Sequence, residues 1–231
     1  MPTTLTLIGN EGFRIDAGPA RIFIDAFYTA IPGVAGAPSS RAQHADKVDL
    51  ILVTHAHWDH FNAGAVTDAA RRTGATVIGP SAVIAALRGQ LPDSALAEME
   101  PPMRPGGSKI PFVKLEFPAA AITAFRTFHG QEHNSYLIEL PGFRCFHDGD
   151  NEKTPRLDAA VLGKLDALML GPWQGSGWVN CIERLAPQRY FLMHLTDEEL
   201  AEHAQDRFLP DLCDHVPKGL VVLRPGETYV F

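Results

Sequence analysis

The sequence predicts an α/β protein in which two β-sheets pack together and helices cover their outer surfaces. Three observations lead to this prediction. Strand-like segments open each half of the chain, strands and helices then alternate in each half, and a proline- and glycine-rich segment at 101–107 separates the halves. Two packed sheets with helices outside would bury the apolar segments of both halves. Because no low-complexity linker interrupts the chain, we expect a single domain over residues 1–231.

In the first half, apolar and β-branched runs between turn signals predict strands. Gly9-Asn10 and Gly18-Pro19 supply the first two turns. Ser81 is a candidate helix cap, and Gly74 and Gly89 are candidate helix stops. The predicted elements are strands at 5–8, 13–15, 21–24, 50–53 and 76–78, and helices at 63–72 and 81–87.

The second half repeats this pattern. Acidic residues at 197–199 are typical of a first helical turn, where the helix dipole favours negative charge. The predicted elements are strands at 112–117, 122–128, 136–140, 143–146, 167–170, 190–193, 220–223 and 228–231, and helices at 155–165, at 179–185 and from 197 onward.

Composition favours a protein that acts on small molecules. The chain is 45% hydrophobic and carries a net charge of -7. Nucleic-acid binding needs a basic surface, so this charge argues against a nucleic-acid partner. Three widely spaced cysteines give neither a disulfide framework nor a cysteine zinc site. No signal peptide or membrane-spanning apolar run is visible, so we expect a cytoplasmic protein without a membrane partner.

The most informative segment lies at residues 54–60, directly after the apolar run at 50–53. It places four potential metal ligands in six residues: His55, His57, Asp59 and His60. Imidazole and carboxylate suit a borderline divalent metal, and zinc is the usual one. Alternate side chains of an extended segment share a face, so His55 and His57 would bind one metal. Asp59 and His60 follow the turn and would reach a second metal, which predicts a paired site able to activate water.

Further ligands are expected where other strands end. His129, Asp150 and His194 each follow an apolar run, and loops at strand ends are common places for active sites. His133 is an alternative to His129, and Asp148 is an alternative to Asp150. The strand-tip position favours His129, and Gly149 favours Asp150 because glycine lets the backbone approach closely.

Taken together, these motifs resemble the metallo-β-lactamase superfamily. The resemblance rests on the His-x-His-x-Asp-His motif at 55–60, His129, the Gly149-Asp150 pair and His194, and Asp25 resembles the aspartate that ends an early strand of the family. It spans nearly the whole chain and implies a four-layer αβ/βα sandwich with the site at one edge. The compact size and the Gly-Asp pair look most like the group that contains the bacterial ascorbate-phosphate lactonase.

The resemblance also implies a role for each candidate ligand. The first-metal set is His55, His57 and His129. The second-metal set is Asp59, His60 and His194. Asp150 would bridge the two metals. Asp59 would also direct a proton during catalysis by a bridging hydroxide. Di-iron redox members tend to carry a carboxylate where this chain has His57, which favours zinc and hydrolysis. The family's usual threonine after the Gly-Asp pair is Asn151 here, which we expect to alter hydrogen bonds around the ligands and not the number of metals.

Candidate substrate contacts are His133 and three tryptophans, Trp58, Trp173 and Trp178. Packing within the fold is the alternative role for each tryptophan. The sequence therefore predicts a zinc-dependent hydrolase with a binuclear site and a small ester-like substrate, a lactone or phosphorylated lactone first. The alternatives are a small-molecule phosphodiesterase and a non-catalytic metal-binding scaffold. Retention of all seven candidate ligands favours an enzyme.

Overall fold

Two seven-stranded mixed sheets face each other in the computed structural model, which describes residues 2–29, 36, 45–102, 110, 112–130, 132–172 and 177–231. The first sheet has the strand order β14-β1-β2-β3-β4-β5-β6. Its strands are β1 (Thr4–Gly9), β2 (Gly12–Ala17), β3 (Ala20–Ile24), β4 (Leu50–Leu52), β5 (Thr76–Gly79), β6 (Leu96–Glu98) and β14 (Thr228–Val230). The pairs β14-β1, β1-β2 and β2-β3 are antiparallel, and β3 to β6 are parallel.

The second sheet repeats this arrangement with the order β13-β12-β11-β10-β9-β8-β7. Its strands are β7 (Phe112–Glu116), β8 (Ala121–Arg126), β9 (Asn134–Leu140), β10 (Phe143–His147), β11 (Ala167–Leu170), β12 (Arg189–Leu192) and β13 (Leu220–Val222). Strands β7 to β10 are antiparallel neighbours, and β10 to β13 are parallel. The two sheets are therefore similar in construction, as the repeated sequence pattern predicted.

Helices cover the outer face of each sheet. They are α1 (Ala63–Thr73), α2 (Ser81–Leu87), α3 (Ala159–Leu162), α4 (Trp178–Leu185), α5 (Asp197–His203) and α6 (Phe208–Leu212). None of these helices is long and apolar enough to span a bilayer. Helices α1 and α2 share an apolar cluster with the first sheet, and the later helices share another with the second sheet. The predicted α/β sandwich of two mixed sheets with outer helices is confirmed.

Local sequence accounts for the helix boundaries next to the candidate site. At the start of α1, the Asn62 side chain accepts a hydrogen bond from the Ala65 amide at 2.9 Å, which satisfies an otherwise unpaired donor. At its end, Gly74 adopts a left-handed conformation with φ of 74°. The predicted helix at 63–72 thus matches α1 to within one residue. This cap also orients α1 where the chain leaves the histidine-rich segment.

The predicted helix at 155–165 is wrong in extent. The structure has a short 3₁₀ turn at Thr154–Arg156 and then only α3. Asp158 interrupts the helix because its side chain accepts a hydrogen bond from the Ala160 amide at 2.9 Å, and Gly163 ends it with φ of 64°. The predicted strand at 122–128 also ends early, at Arg126. Strand β6, helix α6 and a 3₁₀ turn at Asp93–Ala95 were not predicted from the sequence.

Candidate metal centre

All seven candidate ligands lie at one edge of the sandwich. Strand β4 leads into the segment that carries His55 to His60, strand β8 leads towards His129, β10 leads to Asp150, and β12 leads to His194. Parallel neighbours end at the same edge of a sheet, so ligands from distant parts of the chain meet there. The hairpin turn between β1 and β2 reaches the same place, since the carbonyl of Asn10 accepts a hydrogen bond from the His194 amide.

The first-metal set lies around one oxygen of Asp150. The His129 Nε2 atom is 3.3 Å from Asp150 Oδ2 and 3.3 Å from His57 Nδ1, and His55 Nε2 is 3.8 Å from the same Asp150 oxygen. One ligand atom from each of these four residues lies within 4.8 Å of the others. The sequence alternative His133 is not a member of this group.

The second-metal set surrounds the other oxygen of Asp150. The Nε2 atoms of His60 and His194 both lie 3.5 Å from Asp150 Oδ1. The same two nitrogens lie 3.6 Å and 3.4 Å from Asp59 Oδ2. Each carboxylate oxygen of Asp150 therefore faces a different group of ligands, which is the arrangement that a bridging carboxylate requires.

These distances fit divalent metal ions. A tetrahedral ion with bonds of about 2.1 Å has ligand atoms separated by about 3.4 Å. The separations above range from 3.3 Å to 3.8 Å. In addition, His55 Nε2, His60 Nε2 and Asp150 Oδ1 are buried without a hydrogen-bond partner among the described residues. Buried polar atoms without partners are costly, and cations bound in the two ligand sets would satisfy all three.

Hydrogen bonds behind the ligands select the tautomer of two histidines. The Thr54 hydroxyl donates to Asp25 Oδ2 at 2.6 Å, so it can accept the Nδ1 proton of His55 at 2.9 Å. His60 Nδ1 lies 3.1 Å from the same Asp25 oxygen and donates to it. In the neutral form of both rings the proton is therefore on Nδ1, which leaves Nε2 able to bind a metal at the centre.

His133 holds the backbone of the loop that carries Asp150. Its Nε2 accepts a hydrogen bond from the Asp150 amide at 3.0 Å, so its Nδ1 carries the proton and donates to Thr127 Oγ1 at 2.7 Å. The Thr127 hydroxyl is hydrogen-bonded to Ser135, which donates to the Asp148 carbonyl at 2.6 Å. This chain of contacts fixes the loop on both sides of Gly149. His133 is fully buried and holds this loop, and its role as a substrate contact stays a prediction.

Gly149 is required by this packing. It has φ of 59°, and an added Cβ would lie 2.5 Å from His133 Nε2. Asp148, the alternative to Asp150, lies on the other side of the glycine and is hydrogen-bonded by Thr154, Asn151 and Ser135. Burial raises the pKa of Asp148 to about 7 despite these donors. Asn151 thus supports Asp148, in line with its expected effect on hydrogen bonding around the ligands.

The charged groups of the centre shift the pKa values of their neighbours. Burial would lower the pKa of His60, but the hydrogen bond to Asp25 and the charge of Asp150 raise it to about 9. Burial would raise the pKa of Asp59, but hydrogen bonding with His194 and the charge of His60 lower it to about 2. The carboxylates therefore stabilise positive charge beside them, and the ordinary chemistry of this donor set favours a bound cation.

Comparison with known families agrees with the fold. Residues 15–205 match the family described as the Beta-lactamase superfamily domain. The chain belongs to this family. A UPF0173 metal-dependent hydrolase from Thermococcus onnurineus is 28% identical over 231 residues, which cover 95% of this chain and 96% of that protein.

Two solved structures that resemble this fold are described with different activities. Igni18, a metallo hydrolase from Ignicoccus hospitalis, superposes with a TM-score of 0.65 at 19% identity and covers 100% of this chain and 99% of its own. CmlA, a diiron β-hydroxylase from Streptomyces venezuelae, superposes with a TM-score of 0.63 at 14% identity, covering 99% of this chain and 54% of its own. Function must therefore be argued from the site and not from the fold.

The candidate tryptophans differ in their exposure to solvent. Trp58 is 46% exposed within the ligand-rich segment, and its substrate contact stays a prediction. Trp178 is 5% exposed and packs near Tyr190 in the apolar cluster between the second sheet and its helices, so it fills the alternative role of core packing. Trp173 lies outside the described residues.

One acidic residue of the centre was missed from the sequence. Glu11 lies in the turn between β1 and β2 and is fully buried beside Asp150, His194 and His60. Burial and the neighbouring charge of Asp150 raise the pKa of Glu11 well above its usual value. The sequence signal for it is weak, because Gly9-Asn10 accounts for the turn and an acid in a turn is ordinarily solvated. Only the tertiary fold shows that this turn is covered.

Proposed function

We propose that this protein is a binuclear metal-dependent hydrolase, with zinc as the first candidate metal. The observation that carries the proposal is the position of Asp150, whose two oxygens face separate ligand sets. The first set is rich in imidazole nitrogen, which suits zinc, and the second adds the carboxylate of Asp59. Manganese or iron are the alternative metals for the same donors.

The centre supports hydrolysis of an ester-like bond. When bound, a metal pair of this kind polarises a substrate oxygen and lowers the pKa of a bound water to about 7. Asp59 is held by the Asn10 side chain, which donates to its carbonyl at 3.1 Å, and its carboxylate lies 3.4 Å from His194. We assign Asp59 a second role in steering a proton, because its position is fixed by these contacts.

The exposure of the ligands indicates the side from which a substrate enters. His57 is exposed and His129 is partly exposed, whereas His55, His60 and Asp150 are buried. Trp58 is exposed beside His57 and would form an apolar wall of the entrance. A small molecule can approach a centre of this kind with its reacting bond over the ligands and its apolar part against the tryptophan.

Two cations near the entrance favour a substrate that carries an anionic group. Lys153 Nζ lies 4.4 Å and the Arg156 guanidinium 5.0 Å from the centre of the Phe128 ring. Lys153 and Arg156 both follow Asp150 within six residues, and Phe128 directly precedes His129, so the cations lie on one ligand-carrying loop and pack against another. We therefore place a phosphorylated lactone first among the substrates, in the same group as the ascorbate-phosphate lactonase, and an uncharged lactone second.

The test combines metal analysis with a substrate panel. Purified protein loaded with zinc or with manganese is assayed against lactones, phosphorylated lactones, thioesters and small phosphodiesters, and its metal content is measured. We expect two metals per chain and turnover of a lactone. Turnover of phosphodiesters alone would replace the lactone assignment, and two bound metals without any turnover would favour a non-catalytic scaffold.

The anionic group has a separate test. Lys153→Ala and Arg156→Ala should each raise KM for a phosphorylated lactone about tenfold, since each removes one charge-assisted contact. Neither should change KM for the matching unphosphorylated lactone. Equal effects on both substrates would remove the proposed anion contact while leaving the hydrolase assignment in place.

A further inference from the structure

Glu11 is a buried acid for which neither the fold nor the candidate ligand sets account. Its side chain is 0% exposed, and no N–H or O–H group of the described residues donates a hydrogen bond to its carboxylate oxygens. The neighbouring carboxyl group of Asp150 can share a hydrogen bond with Glu11 only when one of the two carries a proton. Two buried carboxyl groups side by side are costly unless a proton or a cation lies between them. The candidate ligand atoms His55 Nε2, His60 Nε2 and Asp150 Oδ1 are also buried without a hydrogen-bond partner among the described residues.

The surroundings of Glu11 place it next to the second-metal set. One of its oxygens lies within 4.8 Å of ligand atoms of both Asp150 and His194. Its Oε2 atom is 3.7 Å from His60 Nδ1, which is beyond hydrogen-bond distance, and Asp25 already accepts the proton of that nitrogen at 3.1 Å. Support of His60 from behind is therefore the role of Asp25 and does not explain Glu11.

The backbone of the turn is fixed in a way that keeps Glu11 in this place. The Glu11 carbonyl accepts a hydrogen bond from the buried His147 Nε2 at 2.8 Å, and the Asn10 carbonyl accepts one from the His194 amide at 3.0 Å. Gly12 allows the turn to approach the end of β3, because an added Cβ would lie 2.7 Å from the Asp25 carbonyl oxygen. The turn is thus tied to two loops of the centre.

We propose that Glu11 is a further ligand of the second metal. The inference rests on the two-metal centre proposed above. It gives the second metal five protein ligands, namely Glu11, Asp59, His60, Asp150 and His194, whereas the first has four. Three of those five are carboxylates, so the second position would take an ion with a higher coordination number and more oxygen ligands than the first.

The experiment compares wild-type protein with Glu11→Gln, which preserves side-chain size and removes the charge. Calorimetric titration with zinc should show affinity for the second metal lowered by at least about 100-fold, beyond the about 10- to 100-fold expected for a residue that only orients a ligand. With Co²⁺ in both positions, the visible absorption of Glu11→Gln should be stronger than that of wild type, because loss of a ligand lowers the coordination number.

Asp25→Asn is the matched control, because Asp25 contacts His60 without belonging to either ligand set. It should weaken metal binding while leaving the Co²⁺ spectrum of the loaded protein like that of wild type. An unchanged spectrum and affinity in Glu11→Gln would overturn the inference. So would an equal loss of thermal stability in its metal-free and metal-loaded forms, since this indicates a structural role. Wild-type protein that binds fewer than two metals would instead overturn the two-metal centre itself.

Discussion

At the scale of single residues, Asp150 is the side chain on which the two ligand sets depend. Its amide is held by His133 at 3.0 Å, and its oxygens lie 3.3 Å to 3.8 Å from four different histidines. Shortening this residue removes a partner from both sets at once. His57, in contrast, belongs to the first-metal set alone and is exposed.

Asp150→Ala and His57→Ala should therefore each lower the rate of hydrolysis by at least about 100-fold while the fold remains intact. Neither side chain belongs to an apolar cluster, so circular dichroism should match wild type. Metal analysis should distinguish the two, with both metals lost in Asp150→Ala and the first metal lost in His57→Ala. His203→Ala, at the end of α5, is the control and should be silent. Wild-type turnover in either ligand variant would show that the assigned roles are wrong.

Asp25 is a residue whose effect should be indirect. It has φ of 45°, and its carboxylate accepts hydrogen bonds from the Thr54 amide and hydroxyl and from His60. Asp25→Asn leaves only one oxygen acceptor, so the orientation of the His60 ring should relax. We expect metal affinity to fall by about 10- to 100-fold, measured by competition with a chelating dye. Affinity equal to that of wild type would mean that the His60 ring is fixed by other contacts.

At the scale of elements, the centre is assembled from turns that follow strands, and the turn between β1 and β2 packs directly against the backbone at the end of another strand. Gly12 begins β2 directly against the end of β3, where a Cβ would lie 2.7 Å from the Asp25 carbonyl oxygen and 2.9 Å from the Ala26 Cα. Both neighbours are backbone atoms and cannot rotate away. A side chain at this position must therefore move the turn or the strand end.

Gly12→Ala should destabilise the protein by about 1–3 kcal/mol and also weaken metal binding. Denaturant unfolding and metal titration measure the two effects. Gly18→Ala is the control, because Gly18 has φ of 57° but no atom within 4 Å of its added Cβ. Gly18→Ala should lower the free energy of unfolding by about 1–2 kcal/mol because of backbone strain, and it should leave metal affinity unchanged. If Gly12→Ala bound metal like wild type, the turn would not contribute to the centre.

The sequence predicts elements and ligands best where the signal is local. His55 to His60 form one motif, and the end of α1 was predicted from Gly74. Glu11 was not predicted because its burial depends on contacts with residues more than a hundred positions away, such as His147 and Asp150. The helix at 155–165 was predicted too long because Asp158 competes for the backbone, an effect that apolar spacing does not reveal.

At the scale of the whole molecule, the candidate centre needs both sheets in their relative positions. The first sheet supplies His55, His57, Asp59 and His60, and the second supplies His129, Asp150 and His194. One apolar cluster lies between the sheets and includes Phe13 and Phe191. The edge at which the ligands meet is therefore set by the packing of this layer. If the chain is a single domain, as expected from the sequence, the two sheets should unfold together.

Phe191 offers a test of that cooperativity. It is fully buried on β12, and its ring centre lies 6.3 Å from that of Phe13 and 5.5 Å from that of Tyr229, both of which belong to the opposite sheet. Phe191→Ala removes contacts from both sheets at once and should cost about 3–5 kcal/mol. For a chain of this size, the melting temperature should fall by about 10 °C, in one calorimetric transition as in wild type.

The matched control is Phe112→Ala, because Phe112 is 50% exposed on the edge strand β7. Its cost should be less than about 1 kcal/mol. Added metal should raise the temperature of the single unfolding transition in both variants. Metal bound to ligands from two sheets stabilises only the state in which the sheets are packed. A scan of Phe191→Ala that splits into two transitions, with metal shifting only one, would show that the two halves unfold as separate domains.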